Sequence, residues 1–171
     1  MSLKIAEENI NFETYSEVLS AEAKEKIKKN EPCIFITPNR GWRANKNWLY
    51  PKETADFVKY VNQETQQNAT YLSDPEEILS LNNIDSYLPI ITLGIDFILK
   101  VGIESVVDIV IEYLKNKYPR IFSNSKNQIH FKIQIEKRDK KSMLKLEYDG
   151  PANDIKNTFT GEKISEIIDR L

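Results

Sequence analysis

The stretch from Tyr87 to Leu114, YLPIITLGIDFILKVGIESVVDIVIEYL, constrains the fold more than any other part of the chain. It is the most apolar segment, yet Asp96, Lys100, Glu104, Asp108 and Glu112 recur through it at four-residue intervals. On a helix of 3.6 residues per turn, charges four apart are neighbours, and each step overshoots a turn by roughly 40°, so the charged line winds slowly around the surface. A strand alternates with period two and does not accommodate this pattern. The spacing predicts one long apolar helix over 89–116, with Pro89 near its first turn and a length of roughly 40 Å.

Such a helix is long enough to cross a bilayer, but Lys100, Glu104 and Asp108 would lie near its middle. Each Asp or Lys there costs roughly 2.5–3.5 kcal/mol on the insertion scale, against a return of about 0.3–0.6 kcal/mol per aliphatic or Phe side chain. No membrane span is therefore expected. A soluble helix apolar around most of its circumference needs a protein cover, from this chain, a second copy or another partner. Gly94 and Gly102 lie within the stretch, eight residues apart, and small residues let backbones approach closely. The expected interface is Gly94, Phe97, Val101, Gly102, Val106 and Val110, engaged by a protein partner or in a homo-oligomer.

Upstream, Leu3, Ile5, Ile10 and Phe12 are compatible with short edge strands. Ser20 can cap a helix over AEAKEKIKKN, which Glu31-Pro32 ends. Cys33–Thr37 is a short apolar run between prolines and reads as a buried strand. A loop follows from Pro38 to Pro51, holding both tryptophans and three cations with no acid, and Lys52 comes immediately after it. Arg40, Trp42, Arg43, Lys46, Trp48 and Lys52 form a candidate ligand or nucleic-acid surface, since cations meet phosphates and rings stack on bases. The competing reading has the tryptophans pinning the loop to the core and the cations solvated. Phe57, Val58 and Val61 mark the next helix. Ser73-Asp74-Pro75-Glu76 has capping-box spacing, which predicts a further helix reaching Leu81.

Tyr118-Pro119 stops the central helix, and Ser123–Asn127 is a polar linker. Beyond it, Ile129, Phe131, Ile133 and Ile135 alternate with His130, Lys132, Gln134 and Glu136. Lys137–Ser142 is a turn, and Leu144, Leu146 and Tyr148 alternate on the return. Ile164, Ile167, Ile168 and Leu171 then share one helix face, with Thr160 as its cap. The fold class expected is α+β, with a mainly helical part over 1–120 containing the central helix 89–116, and a subdomain over 127–171 made of a β-hairpin plus helix. A ferredoxin-like or doubly wound sheet would need more strands than this reading finds.

Composition narrows the function by exclusion. With 24 basic and 26 acidic residues among 171, the net charge of −2 selects neither nucleic acid nor membrane. One cysteine, Cys33, forms no internal disulfide, and with one histidine, His130, on an outward strand face, no catalytic triad, no zinc site built on several His or Cys and no acid–base pair of two histidines is expected. The five glycines are far apart and make no phosphate-binding fingerprint. Glu104, Asp108 and Glu112 line one side of the central helix and offer a conceivable Mg²⁺ or Mn²⁺ ladder; the plainer reading is a solvated stripe. No catalytic residue, metal site or cofactor is assigned. No cleavable apolar N-terminus is present, so a cytoplasmic location is expected. Abundant Ile, Lys, Asn and Glu fit an AT-rich bacterial genome or mobile element.

Two functions are compatible with these observations. The first is a non-enzymatic adaptor or accessory subunit, part of a bacterial multi-component system such as a defence module, working through the central helix. The second is a nucleic-acid-binding module, or a metal-dependent nucleic-acid-processing one, using the Arg40–Lys52 loop.

Overall fold

The computed structural model describes residues 2–40, 48–75, 79–81, 88–124 and 126–171, with the backbone alone at Arg40 and Leu79–Leu81. The chain is α+β, built on a mixed six-stranded sheet. Its strands are β1 (Ser2–Glu8), β2 (Ile34–Thr37), β5 (Ala69–Tyr71), β7 (Ile90–Leu93), β8 (Gln128–Glu136) and β9 (Met143–Pro151), in the order β1-β9-β8-β7-β2-β5. Strands β3 (Asn39–Arg40), β4 (Trp48–Pro51) and β6 (Leu79–Leu81) form a small second sheet in the order β3-β4-β6. Helices α1 (Ala21–Lys28), α2 (Thr54–Glu64), α3 (Ile95–Lys100), α4 (Ile103–Lys117), α5 (Ile155–Thr158) and α6 (Gly161–Asp169) complete it.

The single helix expected over 89–116 is three elements. Ile90–Leu93 is strand β7, seated between β2 and β8. Four uncharged residues between Pro89 and Gly94 suit a strand buried on both faces. Gly94 is the N-cap of α3 and Gly102 that of α4. Gly102 has φ 97° and ψ 160°, a conformation open essentially to glycine alone. The glycine expected to admit a neighbouring helix instead lets the chain turn between two helices. The four-residue charge repeat holds within α4, where Glu104, Asp108 and Glu112 are exposed and Lys115 lies 3.8 Å from Glu112. The helix predicted through Leu81 is also corrected, because 79–81 is β6, parallel to β4.

The apolar circumference of α4 is covered from within. Val106, Val110 and Leu114 are fully buried in a core shared with Phe57 of α2, Ile91 of β7 and Ile133 of β8. Phe97 is buried in the same core and Val101 packs against it. Of the residues expected to meet a partner, Phe97, Val106 and Val110 belong to the chain's own core with Val101 packed against it, and Gly94 and Gly102 are helix caps. None of the helices among the described residues is long and apolar enough to cross a membrane.

One row of paired residues crosses the sheet as Tyr71–Ile36–Ile91–Ile133–Leu146–Ile5, with no charged side chain in it. This inner face packs on α2, α3, α4, α5 and α6. The hairpin β8–β9 forms where its alternation places it, with Ile129, Phe131, Ile133 and Ile135 inward. It does not stand apart: β8 pairs with β7 and β9 with β1, so one sheet joins 127–171 to the first part of the chain, which supplies β1, β2, β5 and β7 to that sheet. Thr160 caps α6 by accepting from the Lys163 N–H at 3.3 Å, and Ser20 caps α1 by accepting from the Ala23 N–H at 3.1 Å.

Candidate functional site

The outer face of the sheet holds the polar chemistry. Its next row is Thr70–Phe35–Thr92–Gln134–Lys145–Ala6. Along that row the cover changes. Over β2 and β7 lie α1 and the 3-10 turn Phe12–Tyr15, which bury Phe12, Tyr15, Ala23, Cys33 and Phe35 together. The cover reaches Met143 at the start of β9; beyond it the face of β9 and β1 is more exposed, and Lys145 there pairs with Glu8 at 2.7 Å.

Beneath the cover, a buried polar network joins three strands. Thr37 and Thr92 share a hydrogen bond of 2.7 Å between their Oγ1 atoms, and Thr92 Oγ1 lies 3.4 Å from Gln134 Oε1. The Tyr15 hydroxyl donates to Gln134 Oε1 at 3.1 Å. The Tyr15 ring packs on Trp48 with centroids 5.2 Å apart, which ties the network to the base of the β3–β4 hairpin. Strand pairing sets Asn39 opposite Leu49 and Arg40 opposite Trp48. Leu49 and Tyr50 are buried, and the Tyr50 hydroxyl lies 2.8 Å from the Ser73 carbonyl and 3.1 Å from that of Ile36. Desolvation raises the Tyr50 phenol above its ordinary range, so it stays a neutral hydrogen-bonding group.

Among the candidate loop residues, Trp48 is therefore an anchor, partly buried on Tyr15, and Lys52 is exposed. The Arg40 backbone lies in β3; its side chain and Trp42, Arg43 and Lys46 lie outside the described residues. The structure brings the two ends of this segment together in a strand pair fixed to the core.

A second polar place opens where β7 and β8 end. A cavity of about 220 Å³ is bounded by Phe12, Phe35 and Phe97, with Lys26, Asp96, Glu136 and Lys140 among its polar groups. Glu136 is buried, and one carboxylate oxygen accepts the Ile95 N–H at 3.2 Å. Gly94 has no side chain with which to cap α3, so a carboxylate from the neighbouring strand takes that role. Burial pushes the Glu136 carboxyl above its ordinary value, opposed by that hydrogen bond and by Lys140, while Asp96 adds to the rise. Cys33, buried in the adjacent cluster, has its thiol pushed up to about 12 by desolvation, which makes it a small hydrophobe and a poor nucleophile.

A third group sits on the open part of the outer face. His130 pairs with Asp149 across the hairpin, with Nδ1 2.5 Å from Asp149 Oδ1 and Nε2 3.7 Å from Glu147 Oε1. The sequence alone presents His130 as an isolated residue on an outward strand face. The signal that places it is the turn: His130 lies seven residues before Lys137–Ser142 and Asp149 seven after it, so a symmetric hairpin sets them side by side. The carboxylates of α4 do not converge, and among the described residues His130, Glu147 and Asp149 form the one group of metal-ligating type.

Comparison with family models, with characterised proteins and with solved structures returns no match. The functional reading therefore rests on these sites.

Proposed function

We propose that the protein is a non-enzymatic binding protein whose contact element is the β3–β4 hairpin and whose partner is an anionic chain, nucleic acid being the class that fits. One observation carries the reading. The strand pair Arg40–Trp48, held by the Trp48–Tyr15 contact and the Tyr50 hydroxyl, closes a segment that holds Trp42, Arg43 and Lys46 and has no acidic residue. Cations in such a segment neutralise phosphates and release counterions, and an aromatic ring offers a stacking platform indifferent to base identity. The proposal keeps the interaction class expected from sequence and moves the contact surface away from α4, whose apolar side is used by the chain's own core.

The test is fluorescence anisotropy with single-stranded and duplex oligonucleotides over a salt series. Arg43→Ala and Lys46→Ala should each weaken binding and flatten the salt slope by about one unit for every phosphate no longer neutralised. Trp42→Ala should weaken single-strand binding by about 1–3 kcal/mol. Wild-type failure to bind at low salt, or three variants that bind like wild type, would overturn the reading. Size measurement with the products of neighbouring genes would then look for a protein partner.

A further inference from the structure

The chain's one histidine lies where two central strands bring two carboxylates against it. His130 and Asp149 are direct partners in the β8–β9 ladder, and Glu147 is two residues from Asp149 on the same face. One donor atom from each of the three lies within 4.8 Å of the others. Ligands on an ion with arms of about 2.1 Å sit roughly 3–4 Å apart, so the three donors would have to draw closer around one ring nitrogen to share an ion. The side chains stand on paired nine-residue strands, which hold a constellation more firmly than loops do.

We propose that His130, Glu147 and Asp149 form a binding site for a divalent first-row transition ion, with Zn²⁺ the favoured occupant. One imidazole and two carboxylates suit a borderline cation better than a purely hard one. Two carboxylates balance its charge, and three protein ligands leave positions open for water. All three side chains retain solvent access, with relative exposures of 38% for His130, 22% for Glu147 and 50% for Asp149, so an ion reaches them without opening the fold.

Without an ion, the two carboxylates face opposite ring nitrogens. The other charges facing the site are Lys132 on β8, Lys145 on β9, and Lys4 and Glu8 on β1. Lys4 and Lys132 are the register partners of Glu147, and Lys145 lies 3.7 Å from Glu147 while held by Glu8.

The experiment titrates the full chain with Zn²⁺ by calorimetry and follows the imidazole nitrogens by NMR, where a single histidine makes assignment unambiguous. One ion per chain is expected, with a displaced ring-nitrogen resonance. His130→Ala and Asp149→Asn should each lower affinity at least about tenfold, and Glu147→Gln should do so as well. Unchanged far-ultraviolet circular dichroism confirms that the variants fold. If a variant misfolds, the wild-type imidazole response decides alone. Absent saturable binding, Zn²⁺ that leaves the imidazole resonances unmoved, or equal affinity in folded His130→Ala would each overturn the proposal.

Discussion

The two faces of the six-stranded sheet are made from the same strands and solve opposite problems. The inner face crosses from Tyr71 to Ile5 without a charged side chain, under α2 to α6. One register step away, the outer face starts at Thr70 and Phe35, passes through Thr92 and Gln134, and ends on Lys145 and Ala6. Its cover, α1 and one 3-10 turn, reaches only part of the way. Where it reaches, polar groups are buried and must satisfy one another; where it stops, they meet solvent and charge. The larger apolar core thus lies on the inner face, and the His130 and Glu136 groups lie on the outer one.

The largest expected effect tests the inner face. Phe57 is fully buried, its ring 5.1 Å from that of Tyr113, so Phe57→Ala should destabilise by about 3–5 kcal/mol in denaturant unfolding. A loss below about 1 kcal/mol would mean that α2 does not seal this face as the packing implies. Gln134→Ala probes the covered part of the outer face. It leaves the Tyr15 hydroxyl and Thr92 without their shared acceptor, and should cost about 1–3 kcal/mol. Gly102→Ala acts through the backbone between α3 and α4 and should cost a similar 1–3 kcal/mol, although no atom lies within 4 Å of the added methyl. A neutral result would show that the chain between the two helices can relax.

Glu136 sharpens the comparison at the rim, through pH. Its carboxyl is raised in the folded protein above the ordinary value of 4.5, so the folded state holds this proton more tightly than the unfolded state does. Its contribution is complete below the unfolded value and is lost as pH rises through the folded one. Glu136→Gln keeps an acceptor for the Ile95 N–H and removes the charge. Relative to wild type, the variant should gain stability as pH rises from about 4.5 towards neutrality, which urea midpoints over that range would show. A constant difference between the two proteins would contradict the assignment. The smallest effect belongs to the open face: Lys145→Ala should change stability by less than about 1 kcal/mol despite its contact with Glu8.

Legibility followed the same division. The hairpin was readable because one of its faces is solvated over most of its length, so apolar and polar residues alternate. Ile90–Leu93 was not, because both of its faces are buried and a continuous apolar run looks the same in a strand and in a buried helix. The charge repeat, true of α4, does not extend back through Gly102 and Gly94 into the strand. Of the candidate sites, the basic loop was visible as composition. The His130 group was present only as a register, and the Glu136 contact not at all, since nothing local links Glu136 to the uncapped start of α3.

By itself the sequence determined the caps at Ser20 and Thr160, the hairpin and its inward residues, and the solvated line on α4 whose charges argue against a membrane span. These depend on periodicity and on side chains acting within a few residues of themselves. Only the tertiary structure decided that the central stretch is a strand and two helices, that its apolar surface faces the chain's own sheet, and that His130, Glu147 and Asp149 converge. Those outcomes depend on pairing between residues far apart in the chain, and a local pattern specifies which face is apolar without specifying what will cover it.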